Sequence, residues 1–120
     1  MTNYLQRLVI LAVPAALFTA GYVKTQDTNR IIEVRAQQFS FSPSEITIAK
    51  GEKITLVLIS EDVSHSLVIP HLHVHQSMPK GHPVSVAITS DQTGDFDGMC
   101  GTFCGSGHES MRFVVHVRDK

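Results

Sequence analysis

Two hydrophobic patterns divide the chain. From Leu8 to Val23 a sixteen-residue stretch is apolar almost without interruption, opened by Arg7 and closed by Lys24. From Arg30 onward no helical period persists, and short segments of alternating apolar and polar residues take over. Alternation with period two puts one face of a strand in a core and the other in water. It predicts strands over Ile31–Ala36 and over Phe39–Ser42, the latter stopped by Pro43. Glu45–Ile48 is short and rich in β-formers, Lys50-Gly51-Glu52 is a turn, and Lys53–Ser60 (KITLVLIS) is a nearly continuous apolar strand. Ser66–Pro70, Val84–Thr89 and Met111–Val117 complete the set. About seven short strands at spacings of about 8–12 residues, with turn residues between them, predict an all-β sandwich.

The first pattern is separate from this domain. A run of sixteen residues is a little shorter than the roughly twenty that span a bilayer and a little longer than a signal-peptide core of about 7–15. Pro14 lies in its middle, where a membrane helix tolerates it, and Thr19-Ala20-Gly21 offers small residues for cleavage. Residues 1–24 therefore read as one N-terminal hydrophobic helix, either a cleaved signal or a single membrane anchor. Arg7 stays inside and the remainder is exported to the periplasmic or extracytoplasmic side. Residues 25–30 are polar and form a tether, and 31–120 form the domain.

Composition then narrows the chemistry. The chain has 120 residues, 42% of them hydrophobic, enough for one domain with one core. Ten Lys and Arg nearly cancel eleven Asp and Glu, so no nucleic-acid partner is expected from charge. With no Trp and two Tyr, a base-stacking platform is also not expected. Seven His and four Met are many for this length, and with two Cys they include the soft and borderline metal ligands.

The densest chemistry falls in twelve residues, Cys100-Gly-Thr-Phe-Cys104-Gly-Ser-Gly-His108-Glu-Ser-Met111. Thiolate and thioether select copper in its lower oxidation state, and imidazole suits both states. Glycines between them let the backbone fold tightly enough for the side chains to converge. Read singly, Cys100 and Cys104 could form a disulfide in an oxidising compartment, and Met111 could fill a core at a strand start. The coincidence of all four residues favours a metal loop. A further imidazole is available at His65, where the strongest apolar strand leaves the sandwich at the same end.

Asp62-Val63-Ser64-His65-Ser66 and Cys100-x-x-x-Cys104-x-x-x-His108-x-x-Met111 resemble the two metal motifs of CuA-type cupredoxins. These are the copper domains of haem-copper oxidase (cytochrome c oxidase) subunit II and of nitrous oxide reductase. The resemblance covers Ile31 to Val117 and implies a cupredoxin-like Greek-key β-sandwich. It implies two copper ions bridged by Cys100 and Cys104, with His65 and His108 each capping one. Met111 would be a weak axial ligand and the backbone carbonyl of Thr102 the last one. It further implies a haem-copper oxidase core subunit as electron acceptor, and cytochrome c or a small redox protein as donor.

Three departures accompany the resemblance. Thr102 stands where the oxidases usually carry an acid that helps bind a metal at the core-subunit interface. Trp is absent, and His75 and Ser77 replace the usual lysine and aspartate. A smaller divergent oxidase subunit and a freestanding copper protein both stay open. The latter would be either a mononuclear blue or green cupredoxin, using His65, Cys104, His108 and Met111, or a storage or delivery protein. No side chain reads as a general base or nucleophile once both thiols hold metal, so any catalysis would belong to a partner subunit. Phe103 is expected to shield the thiolates.

His71, His73 and His75 recur at period two and on a strand would share one face, with His82 following. They read either as a labile copper-loading site or as the polar face of an edge strand. His116 is expected to be exposed. Glu61, Asp62 and Glu109 lie near the predicted copper end, as a surface for a basic cytochrome or as solvated loop charges.

Overall fold

The alternating segments pair into two sheets. The computed structural model describes residues 14, 16, 21 and 29–120. In chain order the strands are β1 Arg30–Gln37, β2 Ser40–Ser42, β3 Glu45–Ala49, β4 Ile54–Ser60, β5 His65–Ile69, β6 Val74–Met78, β7 Val84–Ile88, β8 Gly94–Met99 and β9 Arg112–Arg118. Four form one sheet in the order β2-β1-β4-β7, and five form the other in the order β3-β9-β8-β5-β6. The chain is therefore all-β through the expected domain, with no α-helix among the described residues. The expected helix over 1–24 and the tether fall almost wholly outside those residues. Among the described residues no helix is long and apolar enough to cross a membrane.

The inward faces follow the alternation read from the chain. Val34 and Ala36 of β1, Leu56 and Leu58 of β4, and Phe113, Val115 and Val117 of β9 are fully buried. Full burial of one such large side chain is worth about 1.5–3 kcal/mol. Phe41 of the first sheet meets Phe113 of the second edge to face, ring centroids 6.0 Å apart, which locks the layers near the end where β2 lies. β4 is flanked by β1, running parallel to it, and by antiparallel β7. Its outward Thr55, Val57 and Ile59 are half-buried as well, which explains why its sequence is nearly continuous in apolar residues.

Two strands were not apparent from the pattern. β8 reads GDFDGM, a composition of turns. It pairs all the same along its whole length with β9, and its outward acids meet basic partners there. Asp95 contacts His116 Nδ1 at 2.6 Å and Arg118 at 2.7 Å, and Asp97 contacts Arg112 at 3.7 Å. Gly98 is required by packing. A Cβ there would lie 2.9 Å from Ile69 Cγ1 and 3.2 Å from two backbone carbonyls. His116, expected to be exposed, is half-buried, held between Asp95 and Glu45.

The histidine run also departs from expectation. Pro70–Leu72 forms a short 3-10 helix, and His73 follows in the left-handed region at φ 54°. Proline fixes the first turn and the left-handed residue reverses the chain. His71, His73 and His75 consequently do not share one strand face. Only His75 lies on a strand, exposed on β6 at the edge of its sheet.

Candidate metal centre

β4 delivers the chain to one end of the sandwich, where Ser60 donates its hydroxyl to the Val63 carbonyl and closes a turn. Asp62 sits in that turn and accepts three hydrogen bonds. Its Oδ2 takes the Gln38 backbone N–H at 2.7 Å, and its Oδ1 takes the Val63 N–H at 2.7 Å and faces His65 Nε2 at 2.8 Å. Partial burial pushes the Asp62 carboxyl up, but the Gln38, His65 and Val63 donors outweigh it and bring it to about 2. An ionised carboxylate at Nε2 fixes the imidazole tautomer, leaving the Nδ1 lone pair free for another partner. His65 is the first residue of β5 and is 1% exposed. Its Nδ1 faces Cys100 Sγ at 3.9 Å.

The second half of the site is the connection from β8 to β9. Its ends meet where the Cys100 N–H donates to the Met111 carbonyl at 3.4 Å. The next amide, of Gly101, donates to the buried Ser66 hydroxyl at 2.9 Å. Cys100 Sγ lies 3.2 Å from the Thr102 carbonyl and 4.0 Å from Cys104 Sγ. Cys104 Sγ in turn contacts Met111 Sδ at 3.5 Å. Both cysteines are free and buried. Their separation is about twice the bonded sulfur distance of about 2.05 Å, so the disulfide alternative is not realised here. Burial, then the neighbouring Cys100, pushes the Cys104 thiol up to about 11.

The ligand atoms of His65, Cys100 and Cys104 all lie within 4.8 Å of one another. Among the described residues they form the only group of three or more His, Cys, Asp or Glu so placed. Met111 and the Thr102 carbonyl touch this trio through sulfur, as given above. His108 stands at the start of a short 3-10 helix, His108–Ser110, outside the tight trio. Its Nδ1 is buried and has no hydrogen-bond partner. A buried imidazole nitrogen without a partner is costly. Two thiols, a thioether and two imidazoles are a donor set suited to copper, and a coordinated ion is a partner that would satisfy the orphaned nitrogen.

Several expectations change. Phe103 does not shield the sulfurs: it is 75% exposed, with its ring against the His108 imidazole at a centroid distance of 5.2 Å. Glu61 pairs with Arg35 at 3.0 Å. Asp62 is not a solvated loop charge but the carboxylate that orients His65, and its spacing of three residues before that histidine was the available signal. Gln38 donates its side-chain Nε2–H to the Cys104 carbonyl. No local sequence signal marks that contact, because 66 positions separate the two residues.

A family model described as a cupredoxin-like domain matches residues 7–111. Cytochrome c oxidase subunit 2 of Thermus thermophilus is 25% identical over 97 residues, covering 81% of this chain and 72% of that protein. A probable cytochrome c oxidase subunit 2 of Streptomyces avermitilis is 39% identical over 71 residues, covering 58% of this chain and 22% of that protein. The chain thus spans only part of these relatives. The periplasmic domain of subunit II of cytochrome oxidase from Bradyrhizobium japonicum shares the fold, with TM-score 0.70 at 17% identity over 76% of this chain and 85% of that one.

Proposed function

The chain belongs to the cupredoxin-like domain family, and from that premise we propose that it passes single electrons through a binuclear copper (CuA) centre, as the subunit II-like copper domain of a membrane haem-copper oxidase. The observation that carries this reading is the buried convergence of His65 Nδ1 with the Cys100 and Cys104 sulfurs, beside an unpartnered His108 Nδ1. Cys100, Cys104, His65, His108, Met111 and the Thr102 carbonyl would hold the two ions. Copper, when bound, supplies one-electron chemistry without proton transfer.

The protein's own residues keep that site rigid and dry. Asp62 holds the His65 ring in one orientation, and β5, β8 and β9 fix the positions from which the ligands project. Rigid ligands limit the shape change between oxidation states, and the apolar shell with its hydrogen bonds tunes the potential. A haem-copper oxidase core subunit is the proposed acceptor, and cytochrome c or a small redox protein the proposed donor. Residues 1–24 would act as anchor or signal, with 31–120 as the copper domain on the extracytoplasmic side. The similarity to cytochrome c oxidase subunit 2 supports this assignment.

Copper content and electron paramagnetic resonance of purified protein test it. Two coppers sharing one unpaired spin, split by both nuclei, are expected. A four-line signal from one copper would instead assign a mononuclear cupredoxin, and a loosely held diamagnetic copper(I) a delivery protein.

A further inference from the structure

One residue between β1 and β2 touches both halves of the site. The Gln38 backbone N–H binds Asp62 Oδ2 at 2.7 Å, and the other oxygen of that carboxylate faces His65 Nε2 at 2.8 Å. The Gln38 side-chain amide donates to the Cys104 carbonyl. The next residue, Phe39, lays its ring on the same loop. A Cβ would come within 2.9 Å of that ring at Gly105 and within 2.6 Å at Gly107, so ring and loop backbone are in direct contact. Cys100 has its own ties, through its amide to Met111 and through Gly101 to Ser66. Cys104 lies in the middle of the loop, its sulfur against Met111 and Cys100, and its backbone carbonyl is where Gln38 reaches it.

We propose that Gln38 is a positioning residue that sets the spacing between His65 and the Cys104 sulfur by holding the Asp62 carboxylate and the Cys104 carbonyl at once. The role rests on the copper reading for its consequence, and on the hydrogen bonds alone for its existence. Without the amide, the Cys104 carbonyl loses its donor, and the segment from Cys104 to Gly107 keeps the Phe39 ring and its local bonds to the His108–Ser110 turn. Cys104 Sγ then samples positions away from Cys100 and Met111.

Gln38→Met keeps the length of the side chain and removes the donor. In reduced, metal-free protein, labelling of Cys104 by a thiol reagent, followed by peptide mass mapping, should accelerate about 2–10-fold, the range that one net hydrogen bond supplies. In copper-loaded protein the copper–sulfur absorption bands and the reduction potential should shift, while the metal-free melting temperature stays within a few degrees. Gln38→Glu, of the same shape, should move each readout in the same direction and serves if the first variant fails to fold. An unchanged labelling rate overturns the assignment. So do unchanged bands and potential in a variant that loads copper as the wild type does. If wild-type protein takes up no copper but labelling still accelerates, the electron-transfer reading fails and the positioning role stands.

Discussion

The Asp62 Oδ1 atom lies 2.8 Å from His65 Nε2, and this contact decides which imidazole nitrogen faces the sulfurs. With Nε2–H committed to the carboxylate, Nδ1 is the atom left to meet Cys100 at 3.9 Å. A carboxylate in this position fixes ring orientation and raises basicity, and losing one from a metal site typically costs about 10–100-fold in affinity. Asp62→Ala should therefore weaken copper retention by about that factor, measured by competition with a chelator of known affinity. Asp62→Asn keeps an acceptor oxygen and should lose less.

Cys104 is the sulfur that touches both Cys100, at 4.0 Å, and Met111, at 3.5 Å. Cys104→Ser should abolish the copper–sulfur absorption in the visible. His73→Ala should leave that absorption unchanged, since His73 is exposed and outside the ligand trio. A coloured site surviving in the first variant would refute the ligand assignment.

Packing around Gly98 predicts a stability effect distant from redox chemistry. A Cβ there has Ile69 Cγ1 at 2.9 Å and the Phe113 and Val68 carbonyls at 3.2 Å, and backbone atoms yield little. Gly98→Ala should destabilise the domain by about 1–3 kcal/mol, the usual cost of overpacking. Urea denaturation of metal-free protein checks it, with the midpoint moving down at constant slope.

The outer face of the five-stranded sheet carries a pH-dependent contact. His116 is raised above its ordinary value by its bond to Asp95, with Glu45 adding to it against the effect of burial. Asp95 is lowered by its bonds to His116 and then to Arg118. The folded protein thus holds the His116 proton more tightly than the unfolded chain. That stability is complete below about pH 6.5 and fades as pH rises through the folded value. For Asp95 the contribution is present above about pH 3.9 and fades as pH falls through its lowered value. His116→Gln should therefore cost more stability at pH 5.5 than at pH 9, read from urea midpoints at the two values. Equal losses would show that the contact contributes nothing. Both partners are solvent-accessible, so the effect is small.

The β-rich domain and the clustering of the two cysteines were legible because each rests on local pattern. KITLVLIS declares β4 by its apolar density, and residues 100–111 place soft donor side chains at short spacing, two of which converge with His65. β8 was not legible, because GDFDGM owes its strand to its ladder with β9 and to a glycine demanded by Ile69, with the exposed acid–base pairs across to β9 a small addition. Those are tertiary causes, invisible in propensity. Phe103 was misplaced for a related reason. A position between two cysteines in sequence says nothing about which way its side chain leaves the loop, and this one leaves toward His108 and solvent. The histidine run fooled the period-two reading because Pro70 opens a helical turn before any strand begins.

The backbone contact between the Cys100 amide and the Met111 carbonyl has a wider meaning. It joins the two ends of the ligand-bearing segment at a single point, so β8 and β9 see a closed hairpin whatever lies between. Three donors of that segment, Cys100, Cys104 and Met111, are themselves part of the interior apolar cluster. The same side chains thus serve the interior and the donor group, and insertions or deletions between the two cysteines would disturb the packing of this end together with the spacing of the sulfurs.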